Sequence, residues 1–183
     1  MRVITGTARG TVLKTPDGMK TRPTADRVKE GLFSIIQFEV QGRRVLDLFA
    51  GTGQLGIEAL SRGAESVVFV DRLPQAAALV RENLRRTGFT EKASVIRSDY
   101  ESFLRSRPGI FDLILLDPPY AENFLENALK IISEIDILAD SGIIVCEKTA
   151  DSVLSGCFRN LKMQKEYRYG HTSLVLFRKE TTE

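Results

Sequence analysis

Five apolar, β-branched runs with helical patterns between them constrain the fold of this chain more than any other feature of its sequence. The runs are RVLDLF (44–49), SVVFVD (66–71), ASVIRSD (93–99), FDLILLD (111–117) and GIIVCEK (142–148). The spacing of the apolar residues predicts helices at 54–62, 73–87, 99–106 and 121–138. Strands that alternate with helices are typical of a parallel sheet covered by helices on both faces.

The two ends of the chain depart from this alternation. Residues 2–5 and 11–14 flank a Gly-bounded turn and predict a hairpin, and apolar spacing predicts a helix over 24–36. After residue 150, NLKMQKEYRYG and TSLVLFRK meet at a tight Gly-His joint that favours two antiparallel strands. We therefore expect an α/β fold: a doubly wound, seven-stranded, mostly parallel sheet over 24–183, with an N-terminal β-hairpin extension over 1–23.

Composition excludes several classes of protein. No apolar run approaches the roughly 20 residues of a membrane span, and the N-terminus lacks the apolar region of a signal peptide, so we expect a cytoplasmic protein. Cys146 and Cys157 form no CxxC pair, and Cys146 fits core packing. Because His171 is the single histidine, we expect no metal centre.

Charge is distributed unevenly along the chain. Residues 1–45 contain nine Lys or Arg and four Asp or Glu, whereas the whole protein has a formal net charge of only +2. A basic N-terminal third on a mildly acidic body indicates a partner that carries phosphates. A basic surface that is simply solvated explains the charge equally well.

Acidic residues end four successive predicted strands. They are Asp47, Asp71, Asp99 and Asp117. In open parallel sheets, ligands bind outside the carboxyl ends of the strands, so these side chains mark a candidate site. Each of them alone also fits a helix N-cap, and that interpretation is strongest for Asp99.

A glycine-rich turn, DLFAGTGQLG, follows the first strand. Gly51, Gly53 and Gly56 give the spacing GxGxxG, which lets the backbone turn sharply and approach a ligand. The motif by itself fits a pyrophosphate loop for NAD as well as a loop around S-adenosylmethionine.

The residues around the glycine turn favour the second ligand. Asp47 would repel a pyrophosphate but suits an ammonium or sulfonium group. Asp71 suits ribose hydroxyls in either case, and Arg72 leaves a dinucleotide site with a 2′-phosphate open. The fourth strand decides between the two.

That strand ends in Asp117-Pro118-Pro119-Tyr120. The prolines lack an N–H and keep the segment extended, so their carbonyls stay free as acceptors. A carboxylate and a proline carbonyl can take both hydrogens of an exocyclic base amine while Tyr120 stacks on the base. The plain alternative is an Asp-Pro turn at a strand end.

With these motifs the chain resembles the RsmD family, bacterial 16S rRNA guanine-N2 methyltransferases with the Rossmann-like fold of class I enzymes. DPPY matches the (Asn/Asp/Ser)-Pro-Pro-(Tyr/Phe) motif of amino-methylating enzymes. Family members often carry Glu where this chain has Asp71, and either acid can accept ribose hydroxyls. The resemblance covers MRVITGTARG, TRPTADRVKEGLF, VLDLFAGTGQLGIEALSRGA, FVD, FDLILLDPPY and the closing YG-T-L-LF.

The resemblance implies a role for each matching residue. S-adenosylmethionine would be the cofactor, S-adenosylhomocysteine the product, and no metal would take part. The target amine would lie at the DPPY residues Asp117, Pro118, Pro119 and Tyr120. RNA phosphates would contact Arg2, Arg9 and Lys14. The cofactor would contact Arg22, Thr24, Phe33, Asp47, Phe49, Ala50, Gly51, Gly53, Asp71, Arg72, Asp99 and Tyr100.

The implied partner is 16S rRNA within a partly assembled small ribosomal subunit, and we expect a monomer. Adenine-N6 methylation of DNA or RNA stays open, because DPPY alone does not separate guanine from adenine. An NAD-linked oxidoreductase would need a proton donor, and His171 is the single histidine. A catalytically silent RNA-binding module would have no need of Asp117 beside the glycine turn.

Overall fold

A computed structural model gives the fold and describes residues 1–16, 23–119 and 123–180, with the backbone alone for residues 23–25. Among these residues no helix is long and apolar enough to cross a membrane. One mixed sheet, with helices on both faces, organises the chain.

The sheet has the strand order β3-β2-β1-β4-β5-β8-β7-β6. β1 to β5 are parallel to one another, and β6, β7 and β8 add antiparallel pairs at the far side. The predicted α/β architecture and the closing pair of antiparallel strands are therefore confirmed. The strands are β1 Arg44–Asp47, β2 Ser66–Asp71, β3 Ala93–Arg97, β4 Phe111–Leu116, β5 Leu138–Thr149, β6 Cys157–Phe158, β7 Leu161–Tyr169 and β8 Thr172–Lys179.

The helices follow the strands as the apolar spacing predicts. Pro74 is the first residue of its helix, where its missing N–H costs nothing, and Gly88 ends that helix in the left-handed conformation at φ 77°. A short 3₁₀ turn, Thr90–Lys92, then leads into β3. The helices are α1 Pro23–Ile35, α2 Gln54–Ser61, α3 Pro74–Thr87, α4 Tyr100–Arg105 and α5 Phe124–Ile135.

Alternation along the central strands divides the core into two layers. Leu113 and Leu115 of β4 pack with α1, α2 and α3 on one face, and Ile114 and Leu116 pack with α4 and α5 on the other. Because both faces are covered, the strand is apolar at nearly every position. Asp117 follows β4 directly, so this acid lies at the point where the strand leaves the buried core.

Two details of the predicted fold are wrong, one in the sheet and one in a helix. The sheet has eight strands rather than seven, because the two residues Cys157–Phe158 pair with the edge of β7. The helix predicted to reach residue 138 ends at Ile135: Asp136 turns into the left-handed region at φ 56°, and Leu138 already pairs with Phe111 of β4. In both cases backbone pairing between strands sets the bounds of the element, and apolar periodicity does not reveal that pairing.

The N-terminal segment forms a turn closed by one antiparallel bridge, Arg2 to Val12, rather than by two full strands. Many of its backbone groups bond to α2 instead. Glu58 is fully buried and its carboxylate accepts the N–H groups of Ile4 at 2.7 Å and Thr5 at 3.0 Å. The hairpin prediction therefore holds for the direction of the two arms but overstates their mutual pairing.

Close approach of the segment to α2 requires a glycine at the turn. Gly6 has φ 86°, and a Cβ there would overlap the backbone carbonyl of Ser61. Val3 and Leu13 are buried in the same core layer as α1. The division of the chain into two units at residue 23 stays a prediction.

Two buried polar side chains tie the segment to other helices. Lys29 of α1 donates to the backbone carbonyl of Arg2 at 2.7 Å, and burial lowers the pKa of Lys29 against the opposing pull of Glu58. Asn83 of α3 bonds both the N–H and the carbonyl of Lys14, and its amide also donates to the carbonyl of Thr52. Side chains of α1 and α3 thus hold the segment at both of its ends.

We expect Glu58→Ala to lower the free energy of unfolding by about 3 kcal/mol, because it removes the buried carboxylate that accepts two partly buried N–H groups and pairs with the Arg62 guanidinium at 2.9 Å. Urea denaturation measures the loss, and amide hydrogen exchange at Ile4 and Thr5 locates it. Glu65→Ala, at an exposed site, is the matched control. Equal stabilities of the two variants would contradict the anchoring role of Glu58.

Candidate active site

A cavity of about 670 Å³ opens at the carboxyl ends of β1, β2 and β4. Its volume lies within the range of small-molecule sites. Because parallel strands end at the same edge, the acids predicted from the strand ends do meet there. The lining comprises Met1, Asp47, Leu48, Phe49, Ala50, Gly51, Thr52, Gln54, Leu55, Asp71, Arg72, Leu73, Ser98, Asp99, Tyr100, Glu101, Asp117, Pro118, Pro119, Phe124 and Glu147.

The glycine turn forms one wall. Gly51 and Gly53 have φ of 54° and 79°, and a Cβ on Gly51 would meet no atom within 4 Å, since that position faces open space. Asp71 fixes the turn: its carboxylate accepts the N–H of Gly51 at 2.9 Å and the N–H of Leu73 at 2.9 Å. Each oxygen keeps a further lone pair with which to accept a ligand hydroxyl.

Asp47 lies at the bottom of the cavity, almost fully buried. Its carboxylate accepts the N–H of Gly56 at 3.0 Å, a group in the first turn of α2 that has no helical acceptor. Burial raises the pKa of Asp47 to about 7, and repulsion by Asp71 adds to the rise while the Gly56 N–H opposes it. A positive ligand group here would favour the ionised form.

Asp99 caps a helix, as its alternative interpretation predicted. Its side chain accepts the N–H of Ser102 at 2.9 Å at the start of α4, and hydrogen bonds from Ser102 lower the pKa of Asp99. The residue is exposed and still lines the cavity. Capping and ligand contact are therefore compatible at this position.

Three aromatic rings form the apolar side of the cavity. Phe49 and Tyr100 have ring centroids 5.3 Å apart, and Phe124 lies 5.7 Å from Tyr100 in an edge-on arrangement. Rings in this geometry attract one another and offer flat apolar surface. This wall suits a planar heterocycle.

Asp117 and Glu147 bring two further carboxyl groups to the cavity. Burial raises the pKa of Asp117 well above the usual carboxyl range, and the nearby charges of Glu147 and Asp47 raise it further. Pro118 is buried beside them and Pro119 is exposed. The DPP segment thus leaves the sheet at the cavity wall, as the sequence predicts.

Most predicted site residues lie together, and a few do not. Gly53 shapes the turn without lining the cavity. Phe33 is fully buried in the core under the guanidinium of Arg62, 4.7 Å from its ring, so the structure does not bring it to the cavity. Arg22, the side chain of Thr24, and Tyr120 lie outside the described residues.

The predicted RNA contacts Arg2, Arg9 and Lys14 are all exposed. Met1 at the start of their segment lines the cavity, and the hydroxyl of Thr52 donates to its sulfur at 3.4 Å. Two of these basic residues, Arg2 and Lys14, belong to the arms joined by the bridge at Arg2. The segment therefore connects a basic surface to the cavity.

Sequence reasoning missed ten lining residues: Met1, Leu48, Thr52, Gln54, Leu55, Leu73, Ser98, Glu101, Phe124 and Glu147. Gln54 begins α2 and Phe124 begins α5, so both face the edge where the strands end. The sequence does contain a signal for Glu147. The fifth apolar run, GIIVCEK, carries an acid near its end, as the other four runs do.

Comparison with known proteins decides the family. The family model described as "Conserved hypothetical protein 95", which is the RsmD family, matches residues 1–178. The chain belongs to the RsmD family. The predicted family membership is therefore confirmed.

Relatives match over nearly their whole length. The Bacillus subtilis protein YlbH is 43% identical over 182 residues, covering 98% of this chain and 99% of the relative. The Escherichia coli protein "Ribosomal RNA small subunit methyltransferase D" is 31% identical over 180 residues, covering 98% and 90%. The solved structure of Escherichia coli yhhF superposes with a TM-score of 0.89 at 31% identity and covers 100% and 99% of the two chains.

The cavity fits the S-adenosylmethionine expected for the family. Among the described residues, the buried side-chain oxygen of Gln54 at the wall has no hydrogen-bond partner, so a ligand donor there would satisfy it. Gly51 leaves open space for close approach, and the acids supply acceptors for hydroxyl, amine and ammonium groups. No cluster of three or more His, Cys, Asp or Glu suited to a metal exists in the described part of the chain.

We expect Asp47→Asn to change how stability depends on pH. The native-state pKa of about 7 lies above the usual 3.8, so the folded protein keeps this proton longer than the unfolded chain, and stability falls as pH rises between the two values. At roughly 1.4 kcal/mol per pH unit, the loss is about 4 kcal/mol. The asparagine of the variant cannot ionise, yet its amide oxygen can still accept the Gly56 N–H.

Thermal or urea unfolding of both proteins between pH 4 and pH 8 measures this effect. The difference in unfolding free energy should shift in favour of the variant with rising pH. Parallel curves for the two proteins would show that Asp47 is not the titrating group.

Proposed function

We propose that this protein transfers the methyl group of S-adenosylmethionine to the exocyclic N2 amine of a guanine in 16S rRNA. The observation that carries the proposal is the meeting of Asp117-Pro118-Pro119 with the glycine turn at Gly51 in one cavity, in a chain of the RsmD family. Relatives from Escherichia coli and Haemophilus influenzae are named ribosomal RNA small subunit methyltransferase D.

The chemistry needs alignment more than activation. S-adenosylmethionine supplies a methyl carbon that its sulfonium already makes electrophilic; the N–C bond forms as the C–S bond breaks, and the thioether keeps the electron pair. Holding the two reactants in line can contribute roughly 7–11 kcal/mol to lowering the barrier. No nucleophilic side chain is required.

The protein's own residues would then bind, orient and take up the proton. Asp71 accepts the ribose hydroxyls, and Asp99 with Tyr100 receives the adenine. Asp117 and the carbonyl of Pro118 accept the two hydrogens of the target amine, which turns its lone pair toward the methyl carbon. A positive cofactor charge beside Asp117 would favour its ionised form. The proton lost from the methylated nitrogen would then pass to this carboxylate, whose raised pKa suits it to hold that proton.

We also propose that the substrate is 16S rRNA in a partly assembled small subunit, and that the enzyme acts as a cytoplasmic monomer. Arg2, Arg9 and Lys14 offer three cations on one short segment next to the cavity. So small a basic surface would gain from ribosomal proteins that hold the RNA in place. Methylation of adenine N6 is the second candidate, since the DPP group holds either amine.

We expect Asp117→Ala to reduce methyl transfer at least about a hundredfold while binding of S-adenosylmethionine survives, because Asp117 acts on the amine rather than on the cofactor. Radiolabelled methyl incorporation into small subunits from cells lacking the protein measures transfer, and calorimetric titration measures binding. Loss of both together would show Asp117 to be structural. Label recovered in adenine would replace the proposed guanine by the second candidate.

Reversing Arg2 and Arg9 to Glu should weaken binding to small-subunit RNA and flatten its salt dependence. Each lost phosphate contact lowers the slope of log K against log salt by roughly 0.7–0.9. Arg105 and Arg107, exposed where α4 ends at the opposite edge of the sheet, give a control of equal charge change. An unchanged salt slope in the Arg2/Arg9 variant would count against RNA contact by this segment.

A further inference from the structure

We propose that Glu147 is a base-recognition residue that accepts the N1–H of the target guanine next to Asp117 and thereby rejects bases without that hydrogen. The inference rests on the proposed methyl transfer and adds the group that separates guanine from adenine. It stands on where Glu147 lies in the sheet and on the donors that each base presents.

Strand register places Glu147 beside Asp117. β4 and β5 run parallel with Leu115 opposite Val145 and Leu116 opposite Cys146, so Asp117 and Glu147 are the next pair. Side chains alternate along a strand, so both acids project to the face of Leu115 and Val145. The repulsion by Glu147 that helps to raise the pKa of Asp117 agrees with this proximity.

Glu147 also lies where two cavities meet. It lines the large cavity with Asp117, and together with Pro118 and Pro119 it lines a second cavity of about 200 Å³ beside α5 and residues 149–154. A base whose amine points from the second cavity toward the first would present its Watson–Crick edge to Asp117 and Glu147. Pro118 and Pro119, which line both cavities, would lie beside such a base.

The backbone around Glu147 holds it in place. β5 pairs with β4 on one side and with β8 on the other, where Glu147 lies opposite Leu174. Lys148 projects to the other face, where its ammonium contacts the carbonyl of Ser152 at 2.8 Å and Glu166 at 2.9 Å. A recognition group on a central strand is held more precisely than one on a loop.

The donor pattern of guanine matches these acceptors. Guanine has N1–H next to its N2 amine, three hydrogens in a row, and Asp117, the Pro118 carbonyl and Glu147 supply three acceptors. Adenine has an acceptor at N1 next to its amine, and an ionised carboxylate would face that lone pair. A site built to bond an N–H rejects the analogue that lacks it far more strongly than a site that distinguishes bases by shape.

The test compares two proteins on two substrates. Small subunits are reconstituted with 16S rRNA that carries either guanine or 2-aminopurine at the mapped target; 2-aminopurine keeps the amine and lacks the hydrogen on N1. The wild-type protein should methylate the 2-aminopurine subunit at least about a hundredfold more slowly. Glu147→Gln should reduce that ratio at least about tenfold, because its amide N–H can donate to the bare N1.

Two further measurements separate recognition from structure. Binding of S-adenosylmethionine to Glu147→Gln should match the wild type, and the acidic limb of its pH–rate profile should move to lower pH, because one of the like charges facing Asp117 is gone while Asp47 remains. Glu134→Gln, exposed in the last turn of α5, should keep the wild-type ratio.

Each outcome decides the inference. A Glu147→Gln protein that slows equally on both substrates overturns it and leaves a structural role. If that variant does not fold, the wild-type ratio decides: equal rates on guanine and 2-aminopurine overturn the inference, and a hundredfold difference supports it. A wild-type protein that methylates no guanine refutes the proposed function itself, which is a separate result.

Discussion

The convergence of carboxyl groups at one edge of a parallel sheet is the constraint on which the site depends. Asp47, Asp117 and Glu147 come from three neighbouring strands and face one cavity. Removing such groups from water costs free energy, and their mutual repulsion adds to it. The hydrogen bond from the Gly56 N–H to Asp47 offsets part of this free-energy cost. The raised pKa values of Asp47 and Asp117 reduce it further, because each acid keeps its proton to a higher pH. What remains is an acceptor-rich cavity that favours ligands with positive charge and N–H groups.

The same edge is joined to the N-terminal segment by contacts of buried polar side chains. Glu58 holds the backbone at Ile4 and Thr5, and Lys29 holds the carbonyl of Arg2. These bonds fix the position of Met1 at the cavity wall. The backbone at Arg2 is therefore held at a defined position relative to the cavity, so the proposed RNA contact would also help to place the base.

Sequence reasoning succeeded where a local pattern determines structure. The apolar runs placed the strands, and the strand ends placed Asp47, Asp71 and Asp117 in one cavity. It failed where backbone pairing rather than apolar spacing decides. The edge strand Cys157–Phe158 has no apolar periodicity, and only its pairing with β7 makes it a strand.

The position of a single side chain was harder to predict than the position of a strand. Phe33 lies on α1, and its contact with the cofactor was expected from the family resemblance rather than from apolar spacing; here Phe33 packs under Arg62. Local pattern alone does not single out Glu147, because it follows an apolar run, GIIVC, that fits the core. The register of β4 on β5 places it beside Asp117.

The acidity of the cavity also bears on the direction of the reaction. A carboxyl cluster attracts a ligand with a sulfonium charge and has no such attraction for the neutral thioether that remains after methyl transfer. In the proposed mechanism Asp117 would gain a proton from the methylated amine, so the cavity would lose negative charge as the ligand loses positive charge. Asp47 would then no longer face a positive charge, and its pKa would return toward the value of about 7 that burial sets against the opposing Gly56 N–H. On the proposed mechanism, the burial that makes these acids costly should therefore favour the charged cofactor over its neutral product, and so favour exchange of product for substrate.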